Sequence, residues 1–329
     1  MKILAWPFWN FEQRRLRALW RIVLQLVFTA LASLGLFFPL SLVLGERTQE
    51  QFANMVMVIA VLISFWLAGK LLDRRPFRAF GFSFTRRWWL DFGFGLALGA
   101  ILMLGIFLVE LAAGWVTIRG TFQSAAPTFG EGIVLYVGLF IAVGIQEELL
   151  SRGYWLRNLA EGLNMRFIGP RAALWIAYIL SSAVFGLLHL GNPNATWIST
   201  FNIALAGLFL GLPFVLTGEL PISIGLHITW NFFQGNVFGF PVSGMVTGTS
   251  FIAIEQGGPE LLTGGAFGPE AGLVGLAAMG VGMLLILAWL RWLDGRVAMR
   301  YDLAEYAAPT AAQLPPPLGA GEAGGDSAQ

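Results

Sequence analysis

The chain has 329 residues, 57% of them apolar and only 12% charged, with a mean hydropathy of +0.71. Globular domains carry about 25% charged residues, so a soluble fold and a wholly disordered chain are both excluded, and the composition reads as an all-α, polytopic membrane protein. The net charge of +1 leaves no electrostatic footprint for nucleic acid, and the lack of cysteine removes disulfides, iron–sulfur clusters and thiol nucleophiles.

At the N-terminus, Trp6, Phe8, Trp9 and Phe11 precede Arg14, Arg15 and Arg17. No apolar run with a small-residue cleavage site follows, so a signal peptide is not expected. Residues 1–19 are expected to form an interfacial helix. A spanning helix needs about 20 mainly apolar residues. The stretches that qualify run roughly 20–44, 52–72, 91–117, 131–150, 172–190, 197–217, 220–240 and 271–293, about eight in all. With both termini cytoplasmic, only Arg47 and Arg119 among the basic residues fall outside, as the positive-inside rule favours. The first three spans occupy 20–124 and the rest a second membrane region, 125–293. Residues 241–270, rich in glycine, are expected as an outer loop, partly re-entrant. Residues 294–329 are expected as a cytoplasmic, largely disordered tail, since 306–329 are mostly Ala, Pro and Gly. Gly95 with Gly99, and Gly207 with Gly211, have the spacing of close helix contacts.

Ionisable groups inside apolar segments are costly and mark functional sites. Three groups stand out. Glu147 and Glu148 follow the apolar run 133–145 and precede Ser151 and Arg152. Glu148 and Arg152 are one turn apart and can pair; Glu147 points about 100° away. The spacing thus allows one structural carboxylate and one free for chemistry. His189 ends the helix that contains Phe185. His227 and Asn231 share a helix face. Each group alone also fits an interfacial charge cluster, a cap or an interhelical hydrogen bond. But the chain has two histidines in all, and both fall in apolar helices. Two imidazoles and a carboxylate form a zinc-ligand set and also a general-base set.

These residues spell Glu147-Glu148-Leu-Leu-Ser-Arg152, Phe185-Gly-Leu-Leu-His189 and His227-Ile-Thr-Trp-Asn231. In order and spacing they resemble the EExxxR, FxxxH and HxxxN motifs of the CAAX prenyl endopeptidase and bacteriocin-processing (Abi, or CPBP) family of intramembrane metalloproteases. The resemblance covers about 125–240, with Thr263–Gly272 similar in style to the family's C-terminal part. It implies a catalytic membrane domain over 125–293 and an endopeptidase acting on membrane-associated peptides or proteins. Glu147 would activate water, and His189 would hold that water or a metal. His227 and Asn231 would serve as ligands or oxyanion donors, with Glu148 and Arg152 orienting the site. Zinc or another divalent metal, held by His189, His227 and Glu147, is one option; a metal-free mechanism is the other.

The expected partners are a membrane-associated substrate and the bilayer, with no nucleic acid, and the expected location is the cell membrane of a prokaryote. A non-catalytic adaptor or immunity protein of the same fold, and a proton-coupled transporter, are the competing readings. One conflict arises from the helix directions. Glu147 and His227 would lie in the inner third of the bilayer and His189 near the outer end of its helix, a mismatch of roughly 20 Å. An enzyme therefore requires the fifth helix to begin deep in the cytoplasm and Gly191–Thr196 to turn within the membrane, as non-helical backbone can where a wet cavity surrounds it.

Overall fold

The computed structural model describes residues 6–43 and 45–306. In chain order, a two-residue ladder (β1, Trp9–Asn10; β2, Arg15–Leu16) leads into α1 (Ala18–Val43) and α2 (Glu46–Ala68), which continues as a π-helical turn over Gly69–Asp73. Then come α3 (Arg86–Ala112), β3 (Val116–Ser124) and α4 (Phe129–Glu148). A π-helical segment, Leu149–Leu156, runs on into α5 (Arg157–Leu163). Helices α6 (Gly169–Leu188), α7 (Trp197–Thr217) and α8 (Pro221–Phe232) follow. The chain ends on β4 (Thr249–Gln256), the short α9 (Glu260–Thr263) and α10 (Leu273–Asp294).

Among the described residues, seven helices are long and apolar enough to cross a membrane: Ala18–Val43, Val56–Asp73, Arg86–Ala112, Phe129–Leu163, Gly169–Leu188, Trp197–Thr217 and Leu273–Asp294. The stretch expected as a further span, 220–240, is different. Its helix α8 has 12 residues, opened by Pro221 at its first position and closed by a π-helical turn over Phe233–Val237. Ile224 and Ile228 pack into one apolar core with Phe65 and Tyr154; Ile222, Leu226 and Trp230 pack into a second with Met103 and Ile286. A helix buried on both faces shows the same continuous apolar run as a lipid-facing span, which is why periodicity does not separate them.

Small residues bring the helices together as the sequence suggests. A Cβ on Gly99 would sit 2.8 Å from the Trp230 nitrogen, and one on Gly207 would sit 2.9 Å from Ser182 Cα. The close crossings of α3 on α8 and of α6 on α7 therefore depend on glycine.

Four other expectations are corrected. The N-terminal segment is not a helix over 6–17: Arg14 has a left-handed backbone (φ 51) and the chain folds into the β1–β2 ladder before α1 begins at Ala18. Residues 116–117 leave the third span, and 249–256 leave the expected loop, because β3 and β4 pair antiparallel from Val116–Gln256 to Ser124–Thr249. The tail's first part packs down, with Leu303 and Ala304 buried and Tyr306 Oη donating to the Asp73 carbonyl. The rest of the expected tail, 307–329, lies outside the described residues. Finally, Arg152 and Arg157, read as a cytoplasmic loop, sit on the continuous helix Phe129–Leu163, and Arg152 is buried.

Buried ion pairs hold the N-terminal segment against the helices. Arg15 donates to Glu161 at 2.6 Å, Arg21 to Asp73 at 2.5 Å and Arg75 to Glu161 at 2.5 Å, all buried. Removing one partner from such a cluster strands buried charge. Glu161→Gln is expected to lower stability by about 3–5 kcal/mol in unfolding titrations of the detergent-solubilised protein. A loss of less than about 1 kcal/mol, the scale of a solvated surface pair, would contradict the packing described.

Candidate active site

Three helix ends converge to build the site. Helix α4 is started by a capping box, in which Thr128 Oγ1 accepts from the Glu131 N–H and Glu131 accepts from the Thr128 N–H. It delivers Glu147 and Glu148 at its last turn, where the backbone widens into the eight-residue π-helix Leu149–Leu156. Wide turns of this kind are frequent at functional sites. Helix α6 ends with His189 as its cap residue. Helix α8 starts after Gly218, whose left-handed backbone (φ 75) closes α7, and presents His227.

The two glutamates differ in burial and partners. Glu148 is fully buried, and its Oε1 accepts from Arg152 Nη1 at 2.8 Å and from His227 Nδ1 at 2.8 Å. Arg152 also donates to the Gly207 carbonyl at 3.0 Å and lies 4.4 Å over the Phe185 ring. Glu147 is the accessible one, with its side chain 27% exposed against 0% for Glu148. Its Oε2 has no hydrogen-bond partner and lies 4.0 Å from both His189 Nε2 and His227 Nε2.

Acceptors set both imidazole tautomers. His189 Nδ1 is 2.8 Å from the Phe185 carbonyl and His227 Nδ1 is 2.8 Å from a carboxylate oxygen, so each Nδ1 carries the proton. When neutral, both rings then turn a lone pair on Nε2 toward Glu147. His189, whose depth was in question, therefore joins the site. The Gly191–Thr196 turn beside it is tied down by Asn192, which donates to the Ser243 carbonyl at 3.1 Å.

His189, His227 and Asn231 line one cavity of about 40 Å³, with Phe209, Trp230 and Met279 in its apolar wall. The six residues singled out by sequence are thus brought together: His189, His227 and Asn231 line the cavity, Glu147 lies 4.0 Å from both imidazoles, and Glu148 and Arg152 pair beside His227.

Residues 128–233 match the sequence model of a family described as Type II CAAX prenyl endopeptidase Rce1-like. They form an Rce1-like CAAX prenyl endopeptidase family domain. The matched interval begins at the cap of α4 and contains all six of these residues. Among curated proteins, the uncharacterized protein YyaK of Bacillus subtilis (strain 168) is 24% identical over 216 residues, 63% of this chain and 68% of that one. No solved structure matches the chain.

The donor chemistry of Glu147, His189 and His227 suits zinc, but their spacing does not. Ligands about 2.0–2.2 Å from a tetrahedral ion lie roughly 3.3–3.5 Å from each other; here the carboxylate is 4.0 Å from each ring nitrogen. Among the described residues no three His, Asp or Glu side chains form a group able to hold an ion. A 4.0 Å separation instead suits a water molecule bridging Glu147 Oε2 and an imidazole Nε2 at about 2.8 Å from each, an ordinary hydrogen-bond length.

One polar residue of the cavity lies outside the Rce1-like domain and was missed. Glu270, just before α10, lines the same cavity as His189 and His227. Its Oε1 accepts from the Ser243 N–H at 2.6 Å, and its Oε2 accepts from Gln234 Nε2. The glycines of 264–272 were the available signal: Gly268 has φ 120, a backbone open to glycine, and sits against the Glu270 carboxyl. Burial, partly offset by the Ser243 and Gln234 hydrogen bonds, pushes the Glu270 carboxyl up to about 7. The folded protein then keeps a proton that the unfolded chain loses near its ordinary value of 4.5. Stability from this group is therefore full at low pH and falls as pH rises through about 7. Glu270→Gln is expected to flatten the fall in melting temperature between pH 5 and pH 8. An unchanged slope would contradict the buried, uncompensated carboxyl.

Proposed function

We propose that this protein is an intramembrane endopeptidase that hydrolyses peptide bonds of membrane-associated peptides or proteins with water activated by Glu147. The observation that carries the reading is the unpartnered Glu147 oxygen, 4.0 Å from two imidazole nitrogens whose protons are committed elsewhere. Such a set accepts both protons of one water: Glu147 takes one, and an imidazole Nε2 orients the other.

The steps balance as follows. The water oxygen attacks the scissile carbonyl carbon while its proton passes to the Glu147 carboxylate. The carbonyl π electrons move to oxygen, where the Asn231 carboxamide is available as a donor, since Asn231 lines the cavity one turn from His227. The tetrahedral carbon then expels the amine, and Glu147 returns its proton to that nitrogen. The products are a carboxylic acid and an amine, and the acid's proton then passes to the amine to give a carboxylate and an ammonium group. Glu148, held between Arg152 and His227, orients the His227 ring and stabilises it if it becomes protonated.

The orientation with both termini cytoplasmic is part of the proposal; it rests on the distribution of arginines. It opens the site toward substrates at the inner leaflet.

The test is cleavage of a panel of membrane-anchored reporter peptides by purified protein. Glu147→Gln is expected to lower kcat by about 10²–10⁴-fold without lowering the melting temperature. A chelator is expected to leave wild-type cleavage unchanged. Cleavage that survives in Glu147→Gln would refute the assigned base, and cleavage abolished by chelation and restored by zinc would refute the metal-free arrangement.

A further inference from the structure

A second cavity, of about 800 Å³, lies between the N-terminal segment and the loop after α5. It is far from the Glu147 site along the chain: 13 residues of continuous helix from Glu148 to Glu161 rise about 20 Å. Its polar lining is cationic. Arg17, Arg21 and Arg166 face it, against Glu12 and Glu161. Glu12 is exposed, and Glu161 is already shared by several arginines.

The ion cluster beneath the cavity is short of negative charge. Arg15, Arg21, Arg75 and Arg157 surround the carboxylates of Asp73 and Glu161. Four guanidinium groups thus meet two carboxylates. The nearest further acid, Asp302, is engaged by Arg300 at 2.7 Å. Burial lowers Arg15 to about 10, with Glu161 opposing that fall. A buried surplus of like charge is costly unless an anion relieves it. The atoms that would receive an anion are present. Arg21 is 1% exposed and lines the cavity, yet its Nε has no partner. Arg166 lines the cavity and makes no hydrogen bond or ion pair among the described residues.

The rest of the lining selects the kind of anion. Trp6, Phe11, Leu19 and Met165 line the same cavity, and each is well exposed. Arginines beside exposed apolar side chains match a molecule with a phosphate at one end and hydrocarbon at the other. We propose that this cavity seats the phosphate headgroup of an anionic phospholipid, with its acyl chains against Trp6, Leu19 and Met165. The bound lipid thereby ties the N-terminal segment to the helix that carries Glu147 and Glu148. This site is independent of the catalytic reading, because nothing in it depends on peptide hydrolysis.

The test uses the full chain, delipidated in neutral detergent. Phosphatidylglycerol, phosphatidylcholine and inorganic phosphate are added separately to the wild type and to an Arg17→Gln/Arg166→Gln variant. Native mass spectrometry reads retained lipid, and tryptophan fluorescence reads the melting temperature. Phosphatidylglycerol is expected to be retained by the wild type, to raise its melting temperature, and to bind the variant at least tenfold more weakly. Phosphatidylcholine and inorganic phosphate are expected to have little effect. Equal retention of phosphatidylglycerol by wild type and variant would overturn the site. Equal effects of the two lipids would overturn the requirement for negative charge. A full stabilisation by inorganic phosphate alone would overturn the lipid as the ligand in favour of a free-phosphate site. The variant's melting temperature without lipid, matching the wild type, excludes misfolding as the cause.

Discussion

A buried carboxylate between a guanidinium and an imidazole sets the geometry of this protein. Glu148 cannot sit in the core ionised and alone; its Oε1 is compensated by Arg152 on one side and His227 on the other, each at 2.8 Å. That requirement fixes the end of α4 against α8. Through the Arg152 contacts with the Gly207 carbonyl and the Phe185 ring, it fixes both against α6 and α7. Four helices are thus registered by one cluster of charge.

The chemistry follows from what that cluster leaves over. Because Glu148 accepts a hydrogen bond from the His227 Nδ1–H, the opposite nitrogen turns its lone pair to the cavity. Because Phe185 offers its carbonyl at the end of α6, His189 does the same. Glu147, one residue from Glu148 and one hundred degrees around the helix, is the carboxylate that faces the Nε2 atoms of both imidazoles. Adjacent glutamates therefore divide into one held between counter-ions and one whose Oε2 has no hydrogen-bond partner, and they differ in burial: the side chains are 0% and 27% exposed.

Much of this was legible in the sequence, and the reasons are specific. Charges are so rare in apolar helices that Glu147, Glu148, His189 and His227 announce themselves, and the one-turn spacing of Glu148 and Arg152 foretells their pairing. Depth was not legible: a linear count of helix lengths set His189 far from Glu147, whereas the fold brings them to 4.0 Å. Nor was the state of the arginines. Arg15, Arg21 and Arg152 read as topology signals, but they are buried counter-ions. A residue's charge is visible in sequence, while its partner, such as Glu161 or Asp73, lies far along the chain. The β3–β4 ribbon was missed although Val116, Thr117, Ile118 and Thr121 favour strands, because the apolar run of α3 was carried too far. Helix α8 shows the opposite error: its apolar residues answer to protein on both faces, and composition alone does not tell protein from lipid.

The central claim is that Glu148 holds the His227 proton on Nδ1 and so aims Nε2 at Glu147. With two histidines in the chain, ¹⁵N-histidine labelling yields two ring systems, separable by a His189→Gln variant. The most direct measurement is the ¹⁵N shift of the His227 ring nitrogens in the micelle-embedded protein near neutral pH. A protonated Nδ1 with an unprotonated Nε2, reversed or averaged by Glu148→Gln, is the result expected. A His227 ring with its proton on Nε2, unaffected by that substitution, would contradict the account.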